Sequence, residues 1–365
     1  MERRIEFDIM RGIGIIAVVL GHCSIGTGIV YMFHIPLFIF VSGMLAGCYD
    51  RKNLEKIRKK DAKAELLKNL QKRIARLYFP FVAFQLFFLI FHNVFVEYHL
   101  YSVEKLSYCG FLLKIFQILT MGGGESLGGA LWFLICLFEI SVLWEILRFS
   151  RRYVSDSFFQ IGVAVFSILL YCLGAKFYLP RLLNVSFVLF IYYAMGWFCA
   201  YHTIEKRFGK TELQWGIFLV AAVLLFLAVK TGITYNDMKN PCGAFAVAVT
   251  GIAGAVAAAK ILQRSCPLAK IFSVCGVYSF SIMALHFLIF KAVTVISYFC
   301  GVVDSGILSN LCPVETLGLG TRILYAVCGV IFSIVLSYCF FRAGRFFPRV
   351  MRCLTGQWLY PQKEK

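Results

Sequence analysis

The chain consists of long apolar runs, each about as long as a membrane span, separated by short polar clusters. A helix needs roughly 20 mostly apolar residues to cross about 30 Å of hydrocarbon. Only 15% of the residues are charged and the mean hydropathy is +0.78, which is far from the composition of a soluble globular domain. The alternation of apolar and polar residues that marks strands is absent from the sequence. The sequence therefore predicts an all-α integral membrane protein.

We expect a polytopic helix bundle with about ten transmembrane helices. The candidate spans lie near 8–24, 29–49, 77–98, 129–147, 158–178, 183–201, 213–230, 243–259, 273–300 and 322–341. Together they predict one membrane domain over 1–345, followed by a short basic tail at 346–365. The sequence shows no second domain.

Lys and Arg cluster on alternate connections, which predicts the orientation of the bundle. Basic residues stay in short cytoplasmic connections, and with the N-terminus inside nearly all of the net charge of +18 becomes cytoplasmic. An even number of helices then places both termini in the cytoplasm. The polar segment 50–76 mixes Leu and Ile with many bases and predicts an amphipathic helix on the inner leaflet. Topology and anionic lipid headgroups explain the basic excess, so we expect no nucleic-acid partner.

The first span carries Asp8, Arg11 and His22, although ionisable groups are costly inside a membrane. Arg11 and His22 are separated by almost three helical turns, so both project from one face about 16 Å apart. Asp8 precedes Arg11 by three residues and shares that face. We expect this face to line a protein interior or a wet cavity. The alternative is that Asp8 and Arg11 anchor the span in the headgroups and that His22 caps its outer end.

Four further side chains in or beside the spans are candidates for substrate contact. His34 begins the second span across a short loop from His22, which predicts a shared pocket; a hydrogen bond at the helix end is the alternative. Glu139 and Trp132 are two turns apart and share a helix face, from which both could contact the acceptor. The alternative for Glu139 is a structural ion pair, and the alternative for Trp132 is an interfacial aromatic residue. His286 lies in the middle of a span, where it either faces a cavity or is a satisfied core histidine.

The sequence contains no motif typical of a metal site or of a nucleotide-binding loop. The fourteen Cys are scattered, without a CxxC pair or a His and Cys cluster at metal spacing, so we expect no metal. The glycine-rich stretch TMGGGESLGGALW at 120–132 lacks the Gly-Lys-Ser/Thr ending of a phosphate-binding loop. This stretch is either a gate over an acceptor pocket, with Glu125 contacting a sugar, or a plain solvated loop.

Five stretches together carry a family resemblance: DIMRGIGIIAVVLGH, FHIPLFIFVSGML, LQKRIARLYFPF, LWFLICLFE and YSFSIMALHFLIF. In this order and at this spacing they resemble the membrane-bound acyltransferase 3 family, in particular the branch of fucose 4-O-acetylase and related acetyltransferases. The resemblance spans most of the chain. It implies a helix bundle that takes an acyl group from acyl-CoA at the cytoplasmic face and passes it to a hydroxyl, usually on a glycan or its lipid-linked precursor.

The resemblance also implies roles for individual residues. The family's element of an arginine, ten residues and a histidine maps onto Arg11 and His22, with Asp8 on the same face, and we expect His22 to be the general base. A covalent acyl-histidine is the alternative mechanism. The family's cytoplasmic Arg-x-x-Arg element maps onto Arg73 and Arg76, which we expect to bind the phosphates of acetyl-CoA. Without the resemblance, the residues alone favour the alternative that these two arginines are cytoplasmic anchors of the following span.

The predicted function is membrane O-acylation, with O-acetylation as the first expectation. The expected donor is acetyl-CoA or another acyl-CoA, and the expected acceptor is a glycan or lipid-linked sugar of the cell envelope. The expected location is the cell membrane, namely a bacterial inner or plasma membrane. Because the chain ends shortly after its last span, we expect direct transfer to the acceptor. The alternative is a transporter or exporter of a glycan intermediate, since polar residues in a bundle also mark permeation paths.

We predict that both termini and the segment 50–76 are cytoplasmic. Reporter fusions at residues 60 and 365 should give a cytoplasmic signal, and a fusion at residue 124 should give an external one, because the bases follow this pattern. An external 50–76 segment would overturn both the topology and the assignment of the CoA site.

Overall fold

The computed structural model describes residues 5–59, 62–203, 215–216, 218–220, 222–223, 237 and 239–343. Within these ranges the regular secondary structure is entirely helical. We number the α-helices α1 (Ile5–His22), α2 (Thr27–Lys59), α3 (Ala62–Arg73), α4 (Phe79–Ile90), α5 (His92–Glu97), α6 (Tyr108–Leu119), α7 (Trp132–Ser150), α8 (Asp156–Lys176), α9 (Leu183–Tyr201), α10 (Pro241–Leu262), α11 (Cys266–Val277), α12 (Ser279–Phe299) and α13 (Leu319–Ala343).

Eight helical stretches in the described part of the chain are long and apolar enough to cross a membrane, which confirms the predicted class of fold. They are Thr27–Leu54, Lys63–Ile90, Ser126–Ser150, Asp156–Lys176, Pro180–Tyr201, Pro241–Leu262, Ser279–Phe299 and Leu319–Phe340. They correspond to eight of the predicted spans. The span predicted at 213–230 lies mostly outside the described residues, and the predicted tail at 346–365 lies entirely outside them.

The remaining predicted span, 8–24, is helical but strongly polar at its start. Helix α1 has 18 residues and carries Glu6, Asp8 and Arg11 in its first two turns. With three ionisable groups it does not qualify as a membrane span by apolar composition. Its polar half is instead buried by the protein itself, since the residues Glu6 and Asp8 are both only 7% exposed.

The segment between α2 and α4 continues the helices on either side of it. Helix α2 extends past the end of its apolar run to Lys59, with one non-helical residue at Asn53. Helix α3 passes through a π-helical segment, Ile74–Tyr78, into α4. The helix that carries the predicted span at 77–98 therefore begins earlier, at Lys63, and its apolar residues follow the basic stretch that ends at Arg76.

The chain divides into two compact units. Unit 1 contains Met1–Gly14, Gly28–Ile74 and Cys136–Val277, and unit 2 contains Ile15–Thr27, Ala75–Ile135 and Tyr278–Lys365.

Close helix crossings hold unit 1 together. Gly43 of α2 lies directly against the backbone carbonyl of Tyr193 in α9, and Gly196 of α9 lies against the carbonyl of Phe40 in α2. A Cβ atom at either glycine would overlap the facing carbonyl. Small residues allow helix backbones to approach in this way, and dispersion contacts along the crossing then stabilise the pair.

Polar contacts between α12 and α13 join two helices of unit 2. The hydroxyls of Ser281 and Ser337 are 2.8 Å apart, and the hydroxyl of Tyr325 donates to that of Thr294 at 3.0 Å. Lys291 donates from Nζ to two backbone carbonyls in the connection between the helices, those of Leu308 at 2.5 Å and Asn310 at 2.7 Å. These bonds satisfy polar groups that have no water to bind inside the helix packing.

We predict that Gly43→Ala and Gly196→Ala each destabilise the folded protein by about 1–3 kcal/mol, because the added methyl forces α2 and α9 apart. Gly162→Ala on α8 is the matched control, since nothing lies within 4 Å of a Cβ built at that position. Thermal unfolding in detergent, followed by size-exclusion chromatography, measures the difference. Equal stability of the three variants would contradict the close crossing.

Candidate active site

Two histidines from distant parts of the sequence stack on each other in unit 2. The ring of His22, the last residue of α1, lies against the ring of His286 in α12, with centroids 5.3 Å apart and planes inclined by 27°. Phe287 meets His22 edge-on at 4.7 Å and lies 4.2 Å from His286. His286 is fully buried, whereas His22 is partly exposed. We call His22 and His286 the histidine pair.

The hydrogen bond of His286 determines which of its nitrogens carries a proton. Nδ1 lies 2.8 Å from the backbone carbonyl oxygen of Ile282, one turn earlier in the helix. A carbonyl can only accept, so Nδ1 is the donor, and Nε2 of the neutral ring carries a lone pair. This Nε2 is buried and has no hydrogen-bond partner among the described residues.

The glycine-rich stretch at 120–132 forms a wall beside the histidine pair. A Cβ built on Gly129 would lie 3.3 Å from the ring of Phe287, so only a glycine leaves that ring undisturbed. Two hydrogen bonds to Gln85 of α4 hold the stretch in position. The backbone N–H of Glu125 donates to Gln85 Oε1 at 2.6 Å, and Gln85 Nε2 donates to the Gly128 carbonyl at 2.9 Å.

Glu125 itself faces the protein interior. Its carboxylate is 2.9 Å from His92 Nδ1, and both side chains are nearly inaccessible to solvent. Tyr101 packs edge-on against His92, and burial together with the Glu125 carboxylate raises the pKa of the Tyr101 hydroxyl. The interpretation of this stretch as a plain solvated loop is therefore wrong, and Glu125 acts as an internal anchor.

The other predicted catalytic residues lie in unit 1. Arg11 Nη1 is 3.8 Å from Asp8 Oδ1, so the two form an ion pair within α1. The structure thus pairs Asp8 with Arg11, and His22 with His286.

The predicted substrate-contacting residues have different surroundings. His34 is buried in unit 1 and donates from Nδ1 to the carbonyl of Val30 at 2.6 Å. Glu139, also in unit 1, accepts a hydrogen bond of 2.6 Å from the hydroxyl of Ser186, which is fully buried. Trp132 begins α7 in unit 2 and is half-buried.

The two arginines predicted to bind CoA also differ. Arg73, at the end of α3, donates from Nη2 to Glu145 Oε1 at 3.0 Å, and Asn69 donates to the other oxygen of the same carboxylate at 3.1 Å. Arg76 lies in the π-helical segment and is exposed. The guanidinium of Arg73 is therefore held by an internal carboxylate, and that of Arg76 faces solvent.

Unit 1 contains a buried charged cluster that sequence reasoning missed. Asp50 at the end of the second span is 1% exposed and accepts a hydrogen bond of 3.0 Å from Trp197 Nε1. Its carboxylate also faces two arginines, with Arg148 Nε at 2.9 Å and Arg151 Nη1 at 3.5 Å. Arg148 makes a further ion pair of 3.3 Å with Glu145. We call Asp50, Glu145, Arg148 and Arg151 the Asp50 cluster.

The Asp50 cluster extends to an open cleft and into an aromatic cage. The cleft is lined by Glu145 and Arg148 together with Glu65, Asn69 and Arg152. Arg151 is fully buried, and its guanidinium lies over the ring of Tyr201 at 4.8 Å. In the sequence, the basic run at 148–152 looks only like one of the basic clusters that mark cytoplasmic connections. Acidic residues near the ends of two spans, Asp50 and Glu145, are the signal that could have indicated pairing.

Among the described residues no group of three or more His, Cys, Asp or Glu side chains is arranged to hold a metal ion. The ring contacts of the histidine pair are with Phe287 and Phe290.

Comparison with known proteins identifies the family. The model of the acyltransferase 3 family, described as an acyltransferase domain, matches residues 4–342. No curated protein and no solved structure gives a significant match. The matched region contains both members of the histidine pair and the arginines discussed above, namely Arg11, Arg73, Arg76, Arg148, Arg151 and Arg152. The chain therefore belongs to the acyltransferase 3 family.

Proposed function

We propose that this membrane acyltransferase moves an acetyl or other acyl group from acyl-CoA to a hydroxyl of a glycan or lipid-linked sugar, with His22 as the general base. The observation that carries the proposal is the histidine pair. It places a partly exposed imidazole at the end of α1 against a second imidazole and Phe287, in a chain whose family transfers acyl groups.

The proposed reaction uses the proton-accepting capacity of His22. The acceptor hydroxyl oxygen attacks the thioester carbonyl carbon while its proton passes to a ring nitrogen of His22. The carbon–sulfur bond then breaks, and the CoA thiolate leaves and takes up the proton. The rings of Phe287 and His286 cover one side of His22, which favours transfer to the acceptor over hydrolysis by water.

The proposed donor requires cations for its phosphates. We assign this role to Arg73 and Arg76, because guanidinium groups bind phosphate through charge-assisted hydrogen bonds. Arg76 is exposed and open to a ligand, and Glu145 fixes the orientation of Arg73. Arg11, held by Asp8, completes the family's arginine and histidine element. His34, Trp132 and Glu139 are proposed as further acceptor contacts.

The family assignment favours transfer over the alternative, a transporter or exporter of a glycan intermediate. The proposed location is a bacterial inner or plasma membrane, where both a cytoplasmic acyl-CoA pool and an envelope glycan are within reach of one protein.

We predict that His22→Ala and His22→Asn each reduce acyl transfer by about 10²- to 10⁴-fold, because a positioned base contributes that much and asparagine cannot take up the proton. Wild-type transfer should also fall at acidic pH, where the protonated ring no longer accepts a proton. Transfer of a labelled acetyl group from acetyl-CoA to membrane glycan, at matched expression, measures the effect.

His99→Ala is the control for this experiment, since His99 is an exposed histidine of the same unit. It should leave transfer nearly normal. Near-normal transfer by His22→Asn would remove His22 from the mechanism.

We predict that Arg76→Ala weakens acetyl-CoA binding at least tenfold, because a charge-assisted hydrogen bond to phosphate contributes about 1.5–3 kcal/mol. Adding Arg73→Ala should weaken it further. The loss should be smaller for 3′-dephospho-CoA, which lacks one phosphate. Binding of each donor to detergent-purified protein is the measurement.

Lys72→Ala provides the matched control, since Lys72 is an exposed cation next to Arg73 on the same helix. If CoA affinity is the same in Arg76→Ala, Lys72→Ala and wild type, the proposed phosphate contacts are contradicted. The two arginines are then cytoplasmic anchors.

A further inference from the structure

Among the buried polar side chains of α12, one nitrogen atom has no hydrogen-bond partner in the described part of the chain. Four polar side chains of this helix are buried: Ser281, His286, Lys291 and Thr294. Ser281 meets Ser337, Lys291 donates to two backbone carbonyls, and Thr294 donates to the Phe290 carbonyl at 2.9 Å and accepts from Tyr325. His286 uses only Nδ1, and its Nε2 has no partner in the described part of the chain.

An unmet acceptor at this position is costly and points to a missing donor. A buried polar atom without a partner costs about 1–3 kcal/mol. The rings packed on His286 are those of His22, Phe287 and Phe290, at centroid distances of 5.3, 4.2 and 5.5 Å. Phenyl rings have no polar hydrogen to donate, and His22 makes no hydrogen bond to this nitrogen. A purely structural histidine would be expected to have both nitrogens satisfied, as those of His92 are by Glu125 and the Glu104 carbonyl.

We propose that Nε2 of His286 accepts a hydrogen bond from a second hydroxyl of the acceptor, adjacent to the hydroxyl that is acylated. The proposal rests on the proposed function, in which His22 receives the proton of the acylated hydroxyl. The two rings are nearly parallel and their centroids are 5.3 Å apart. Two neighbouring hydroxyls, each forming a hydrogen bond of about 2.7–3.0 Å, can span acceptors at such a spacing.

The consequence is a defined class of acceptor. His22 and His286 together select a vicinal diol, as found on a sugar ring, over an alcohol with a single hydroxyl. A site built to bind a hydroxyl rejects the analogue that lacks it, because the buried protein group then stays unpaired. His286 is thus a specificity-determining residue that binds the acceptor beside the reacting oxygen.

Acceptor analogues test this role directly. Acetyl transfer from acetyl-CoA by purified protein is measured with methyl α-L-fucopyranoside, whose O3 and O4 hydroxyls are neighbours on one face of the ring, and with its 3-deoxy derivative. We expect wild type to prefer the diol by about tenfold in kcat/KM, equal to about 1.4 kcal/mol. His286→Phe keeps a ring but no acceptor, so it should lose this preference, mainly through slower transfer to the diol.

Two further variants separate binding from folding. His286→Gln places an amide oxygen near the position of Nε2 and should retain part of the preference. Thr294→Val removes another buried polar group of α12 and should leave the ratio of the two sugars unchanged. A His286→Phe enzyme with the wild-type ratio would overturn the proposal.

The protonation of His286 can be measured without turnover. In ¹⁵N NMR of protein labelled at histidine, with His286→Phe to assign the signals, we expect a protonated Nδ1 and an unprotonated Nε2 whose resonance shifts when methyl α-L-fucopyranoside is added. A protonated Nε2, or no shift at saturating sugar, would overturn the role of His286. Wild type that acetylates neither sugar would count against the proposed function, and the NMR result would still decide the role of His286.

Discussion

A polar group that is buried among apolar helices has no water to bind, so its hydrogen-bond and charge partners must come from the protein. This constraint explains the two polar regions of the structure. At the Asp50 cluster, the Asp50 carboxylate meets Trp197 and two arginines, so that charges which could not be buried singly are buried together. On α12, serine, threonine and lysine each find a partner in the next helix or its connection.

The same constraint makes an unpaired buried polar atom informative, and Nε2 of His286 is one of several such atoms in the described part of the chain. Proteins tolerate an unmet polar group chiefly where function requires it. Nε2 of His286 is such a group, and it lies in the ring that stacks on His22. The neighbouring walls are Phe287 and the backbone at Gly129, whose position is set by buried hydrogen bonds to Gln85. Neighbouring groups that are already held in place suit a transfer reaction, because they do not have to reorganise when the proton moves.

The helical architecture was predictable because a span is a local property of the sequence. Runs of about 20 apolar residues are visible directly, and eight of them form helices long and apolar enough to cross a membrane in the described part of the chain. His22 and His286 were also identifiable, since any ionisable group inside an apolar run is conspicuous. Their contact was not, because nothing in the local pattern around residue 22 indicates which distant helix will pack against it. The family resemblance related His22 to Arg11, and the structure adds its stacking partner.

Charged residues near the ends of spans were harder to interpret. The excess of Lys and Arg in cytoplasmic connections predicts the side of the membrane. It does not indicate whether a given arginine faces lipid headgroups or a buried carboxylate. Arg73 therefore looked like either an anchor or a phosphate ligand, and its bond to Glu145 was not foreseen. Arg151 is fully buried, although the rule for basic residues alone would make it an ordinary headgroup anchor. Such pairing depends on which helices become neighbours, and that information is not contained in the hydropathy of either segment.

The central claim is that the acyl group is transferred from the donor to the acceptor at the histidine pair. A cryo-EM structure of the protein bound to a thioether analogue of acetyl-CoA, which cannot transfer its acyl-like end, tests this claim most directly. The account predicts that the end of the analogue lies against the rings of His22 and Phe287, with its carbonyl position within reach of a hydroxyl bound to His22. An analogue whose reactive end lies away from both histidines would contradict it.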